Sequence, residues 1–147
     1  MRDAEAEKLY KYGVELLSQG NTLSALSCFE KAIKKEDNPH IWSYYALCIA
    51  KERGQVRKAI LLCKEAIQRE PDNSAHYLNL GRIYLFSRKK AEAIVIFREG
   101  LSHETNEQII EELNNLAPRK PPVIPFLNRN NPINKYLGII LKILGLR

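Results

Sequence analysis

A chain of 147 residues, 45% apolar and 27% charged, can build one hydrophobic core, which excludes both wholesale disorder and a multidomain enzyme. Seven Gly and seven Pro exclude a collagen-like or low-complexity chain. The formal charge of +6 is unevenly placed: residues 1–117 carry 17 basic and 17 acidic side chains. The whole excess therefore lies in Arg119, Lys120, Arg129, Lys135, Lys142 and Arg147, in a final stretch with no acid. A neutral body with a basic end argues against nucleic acid as a partner, which calls for basic residues gathered on one face.

The segment Met1–Lys8 is charged and lacks the apolar run of a secretory signal, so the expected location is cytoplasmic. The first helix follows from Leu9-x-x-Tyr12-Gly13-x-x-Leu16, whose spacings mark one face, with Gly20-Asn21 closing it. Asn38-Pro39 offers an N-cap followed by proline at the first helical position, opening a third helix that Gly54 closes. Asp72-Asn73-Ser74 caps a fifth helix. Thr105-Asn106-Glu107-Gln108 reads as a capping box for a seventh, carrying Ile109, Ile110, Leu113 and Leu116 and stopped by Pro118.

A shift of 34 residues superposes Ala25, Ala59 and Ala93, then Phe29, Cys63 and Phe97, then Ala32, Ala66 and Gly100, then Ile33, Ile67 and Leu101. Upstream of each set lies a second pattern: Tyr12-Gly13, Tyr45-Ala46 and Leu80-Gly81, each inside the same three-and-four spacing. This arrangement resembles the tetratricopeptide repeat, W-x-x-L-G-x-x-Y then A-x-x-x-F then P at a period of 34. Only the middle copy keeps the proline, Pro71; the other two have Asp37 and Thr105.

The resemblance implies an all-α, right-handed superhelical solenoid of three antiparallel helix pairs, at about residues 5–38, 39–72 and 73–105, with a capping helix at 106–117. Small residues at Gly13, Ala46 and Gly81 suit the close approach of paired helices. In the family, the first helices of the pairs line the ligand face. A second stripe on them comprises Tyr10, Val14 and Leu17, then Ser43, Leu47 and Ala50, then Leu78, Arg82 and Leu85, extended by Phe86. The expected function is thus an adaptor or scaffold binding a helical or extended apolar peptide. The family's clamp for a C-terminal carboxylate needs basic and amide side chains that here correspond to Tyr10, Val14, Tyr44, Ala75 and Asn79, so that ligand mode is not expected.

Pro118 to Pro132 holds five prolines, four of them within residues 118–131, which read as a spacer. From Ile133 to Leu146, nine of fourteen residues are apolar, and a helix there is too short to span a bilayer. Its apolar face, with Ile133, Tyr136, Leu137, Ile140, Leu141 and Leu144, has three destinations: the body's own groove, a second copy to make a homodimer, or an anionic membrane surface. The last of these is the alternative function, a peripheral membrane protein at the inner face of a membrane.

No glycine-rich phosphate loop, H-E-x-x-H or G-x-S-x-G occurs, so no catalytic residue, cofactor or metal ligand is assigned and the chain is not expected to be an enzyme. His40, His76 and His103 are read as surface or cap residues, and Cys28, Cys48 and Cys63 as reduced, buried thiols. The clusters Lys34-Lys35, Arg57-Lys58 and Arg88-Lys89-Lys90 are expected to solvate turns and complement helix dipoles.

Overall fold

A computed structural model describes residues 2–118 and, beyond them, Lys142 and Gly145. The spacer at 118–131 and the apolar segment at 132–147, with the destinations expected for it, lie outside the described residues apart from Pro118 and those two positions. Seven helices are described: α1 (Ala4–Ser18), α2 (Thr22–Lys35), α3 (Pro39–Arg53), α4 (Val56–Arg69), α5 (Ser74–Phe86), α6 (Lys90–His103) and α7 (Glu107–Leu116). They pack as α1 with α2, α3 with α4 and α5 with α6, while α3 also touches α2 and α5, and α4 touches α5. This is the expected all-α solenoid of stacked pairs.

The close approach within each pair is visible at the small residues. A Cβ added to Gly13 would lie 2.7 Å from the Phe29 ring, and one added to Gly81 would lie 2.1 Å from the Phe97 ring. Both rings are fully buried, so the glycines provide the space they occupy. Because α3 is packed on three neighbours it is buried almost all round, including Ile41, Ser43, Tyr45, Ala46, Leu47, Cys48, Ile49 and Ala50. Helix α1, at the open end, buries only Ala6, Gly13 and Leu16.

Several caps follow the sequence. Asn38 accepts from His40 N, Asn73 from Ala75 N, and Gly54 takes the left-handed conformation at the end of α3. At α7 the cap falls one residue later than expected: Asn106, not Thr105, accepts from Gln108 N and Ile109 N. The amide side chain reaches two successive N–H groups, as Asp3 does at α1.

Two further columns at 34-residue spacing emerge at the turns. Gly20, Gly54 and Arg88 all have positive φ, at 78°, 66° and 63°, so a non-glycine residue holds the left-handed position in the third repeat. The residues that follow, Asn21, Gln55 and Lys89, open α2, α4 and α6, but only Asn21 caps its helix by a side-chain hydrogen bond. The dipole expectation for the basic clusters therefore holds at Lys34-Lys35, in the last turn of α2, and fails elsewhere. Arg57-Lys58 and Lys89-Lys90 sit at helix N-termini, where positive charge opposes the macrodipole. Arg88→Gly is expected to stabilise the chain by about 1 kcal/mol, and Lys89→Asp by about 1 kcal/mol, each read as a raised urea midpoint at unchanged m-value.

Candidate functional site

The face formed by the first helices of the pairs carries a cavity of about 390 Å³. Val14 and Leu17 of α1, with Tyr44 and Leu47 of α3, form its apolar wall; Ser18, Lys51, Arg82, Gln108 and Glu112 complete it. Arg82 of α5 is fixed across to α7, its Nε donating to Glu112 Oε1 at 3.0 Å and its Nη2 to Gln108 Oε1 at 3.3 Å. Lys51 enters no ion pair among the described residues. The site is thus an apolar wall facing a polar one, with one uncompensated cation.

Of the ten positions expected to line a peptide groove, Val14, Leu17, Leu47 and Arg82 line this cavity. Ser43, Ala50 and Leu78 are buried and do not line this cavity, and Leu47, itself 2% exposed, meets it only at its edge. On α3 and α5 the buried members of the second stripe form the interface between repeats, because both helices are packed on neighbours, while Leu47 and Arg82 of the same helices meet the cavity. Tyr10 lies farther along α1, beside Glu7, Asn38 and His40 in a smaller cavity of about 140 Å³. Leu85 is half-buried and Phe86 exposed, and neither lines the larger cavity. Tyr44 does line it but was not among the expected positions; its neighbourhood to Tyr10 and Phe29, at ring-centroid distances of 5.7 and 5.8 Å, places it there.

A polar network that the sequence reading missed links buried Ser43, His76 and Asn79 to the partly exposed Glu70 and His40. His76 places Nδ1 2.8 Å from Ser43 Oγ and Nε2 2.9 Å from Glu70 Oε1, while Glu70 Oε2 lies 3.3 Å from His40 Nε2. Asn79 Nδ2 donates to Ser43 Oγ at 3.2 Å. Serine, histidine and glutamate in this order resemble a hydrolytic triad. Here the serine is fully buried and receives the Asn79 amide, so no substrate can reach its oxygen and the group is a polar core between repeats. His76, expected at a surface or cap position, lies in the first turn of α5 and is fully buried.

The network belongs to a periodic clasp. Every second helix ends on a basic residue followed by glutamate: Lys35-Glu36, Arg69-Glu70 and His103-Glu104. The basic residue pairs with an acid at or just before the start of the pair's first helix: Lys35 with Glu5, Arg69 with Asp37, His103 with Asp72. The glutamate reaches that helix's N-terminus: Glu36 accepts from Asp3 N, Glu104 from Ser74 N and Oγ, and Glu70 faces His40. A 34-residue comparison restricted to charged positions would have found both columns.

Burial raises the Cys48 thiol to about 12 and pushes the wholly buried Cys63 higher still, so neither is a thiolate at neutral pH. Tyr10 is likewise raised, chiefly by burial and then by Tyr44 and Glu7.

Residues 50–113 match the family model for the tetratricopeptide repeat. Among curated proteins, DnaJ homolog subfamily C member 3 of Bos taurus is 30% identical over 110 residues, 71% of this chain. The chain spans only 22% of the length of that relative. The small glutamine-rich tetratricopeptide repeat-containing protein of Dictyostelium discoideum is 29% identical over 131 residues, covering 82% of this chain and 39% of its own length. Among solved structures, the first TPR of Spaghetti (RPAP3) bound to HSP90 peptide SRMEEVD superposes with a TM-score of 0.61 at 20% identity, covering 79% of this chain and 95% of that one. The Sgt2 TPR domain from Aspergillus fumigatus gives 0.59 at 20% identity, covering 86% and 93%. Residues 50–113 thus carry the tetratricopeptide repeat, and the 34-residue register and helix pairing extend the same fold over residues 4–116, as three helix pairs and a seventh helix.

Proposed function

We propose that the chain is a protein-interaction adaptor that holds an apolar segment of a partner, helical or extended, on the face of its first helices. The contiguous wall of Val14, Leu17, Tyr44 and Leu47 carries this reading. Val14 and Leu17 belong to one stripe of α1, and a partner helix with anchors at i, i+3, i+4 and i+7 presents a matching ridge. Structural neighbours include arrays solved with chaperone peptides, the first of them with SRMEEVD, which supports peptide binding as the use of this surface.

The ligand chemistry differs from those peptides. Tyr10 and Tyr44 pack edge to face, Val14 is apolar and Asn79 is buried, so the positions that would clamp a terminal carboxylate hold no cation. A fluorescein-labelled helical peptide with leucine at the four anchor positions is expected to bind the full chain in a polarisation titration, and SRMEEVD is not. Leu17→Glu should weaken the anchor peptide at least about tenfold by placing a charge on the wall. Phe86→Ala, outside the cavity, should leave it unchanged. Failure of the anchor peptide to bind, or equal binding by Leu17→Glu, defeats this reading.

A further inference from the structure

A third cavity lies on the α3–α4 pair and shares no residue with the two described above. Pro39, Trp42, Leu62 and Ala66 form its apolar wall, and Asp37, Glu65 and Arg69 its polar part. Its volume is about 210 Å³, the share of about seven water molecules. That is below the range of about 300–1,000 Å³ typical of small-molecule sites, so it suits one large side chain.

The charges select which. Arg69 Nη1 and Trp42 Nε1 both donate to Asp37 Oδ1, each at 2.8 Å. Among the described residues no donor meets Asp37 Oδ2 or the Glu65 carboxylate. Two carboxylates against one guanidinium leave the cavity with a net negative charge. Such a pocket favours a long side chain that lays an alkyl stem on apolar surface and carries a cation at its end.

The neighbouring pair shows the same position filled. There the residues equivalent to Asp37, Trp42 and Arg69 are Asp72, Tyr77 and His103. His103 pairs with Asp72 at 3.2 Å and also lies over Tyr77, with ring centroids 5.4 Å apart and planes 26° from parallel. Tyr77 is 1% exposed, whereas Trp42 is only half-buried. In the middle pair Arg69 reaches to Asp37, and the place beside the aromatic ring remains a cavity. The fold thus places a flat, nitrogen-bearing group beside the aromatic residue in one repeat and leaves that place open in the next.

We propose that this cavity is a binding pocket for an arginine side chain of a protein partner, with the guanidinium at Asp37 and Glu65 and its stem beside Trp42. The planar head matches carboxylates in two directions, which lysine does not. The site is independent of the apolar face described above.

Trp42 is the chain's one tryptophan, so its indole N–H gives a single, unambiguous NMR signal. Titrating the full-length, nitrogen-15-labelled protein with N-acetyl-L-arginine amide is expected to move that signal saturably in the millimolar range. N-acetyl-L-leucine amide at equal concentration should move it several-fold less. Glu65→Gln, an exposed change, should weaken the arginine probe about threefold without altering the unfolding midpoint, and added salt should weaken it further. A non-saturable response, an equal response to the leucine probe, or wild-type affinity in Glu65→Gln each overturns the proposal.

Discussion

Replacing Cys63 with phenylalanine, the residue found at the same place in both flanking repeats, is expected to destabilise the chain by roughly 3 kcal/mol or more, and Ala46→Gly is expected to restore most of the loss. In the outer pairs a glycine on the first helix makes room for a phenylalanine on the second: Gly13 for Phe29 and Gly81 for Phe97. The middle pair carries both changes at once, Ala46 in place of glycine and Cys63 in place of phenylalanine, and both are fully buried. Cys63 Sγ lies 3.8 Å from the carbonyl of Ser43, three residues before Ala46, which puts the thiol against that stretch of α3. The added methyl takes up part of the space that the missing ring vacates, so the two changes offset each other in sign where each residue alone departs from the repeat pattern.

The converse applies at Gly81. Its added Cβ would meet Cε1, Cδ1 and Cζ of Phe97 at 2.1 to 2.6 Å, and that ring is fully enclosed. Gly81→Ala should therefore cost about 3 kcal/mol, far more than the fraction of a kcal/mol that alanine ordinarily gains over glycine within a helix. Urea unfolding of Cys63→Phe, Ala46→Gly and the double variant forms a double-mutant cycle. Additive effects, with no rescue by Ala46→Gly, would show that the two residues do not share one space.

Much of this architecture was legible in the sequence because apolar periodicity and small-residue columns are local consequences of helix pairing. The groove was less so. Helical spacing identifies a stripe but not what lies above each of its residues: Ser43, Ala50 and Leu78 have the spacing of Val14 and Leu17, yet they are fully buried on helices packed against several neighbours. The Thr105 cap failed for a different reason, since Thr105 and Asn106 can both cap and only backbone geometry chooses between them. The basic-Glu columns at 35-36, 69-70 and 103-104 were available from the start, but their partners lie about 30 residues away and carry no apolar signal.

Stability is expected to fall as pH drops below about 6.5, before carboxylate titration begins, because of His76. This imidazole is fully buried, with Ser43, Glu70 and His40 around it. As the neutral tautomer it is fully used: Nε2–H donates to Glu70, Nδ1 accepts from the Ser43 hydroxyl, and Asn79 donates to that hydroxyl's oxygen. A second proton on Nδ1 would point at Ser43 Oγ and force the hydroxyl hydrogen toward the His40 carbonyl, 3.4 Å away. Burial disfavours the charged ring, and although the Glu70 hydrogen bond and charge act in the opposite sense, the net shift is downward from 6.5. A folded-state value below the unfolded one means that the unfolded chain binds more protons, so this stability is present above pH 6.5 and declines as pH falls through it. Glu70 adds a later loss in the same direction: burial pushes its carboxyl up, but His76, His40 and Asn73 hold it below 4.5, so that contribution fades only in stronger acid. Urea unfolding at about pH 7.5, 6.5 and 5.5 should show a falling midpoint. His76→Gln should flatten that dependence while costing about 1–3 kcal/mol at the upper pH from the broken network. A midpoint independent of pH in the parent chain, or an equal slope in His76→Gln, would remove His76 as the group responsible.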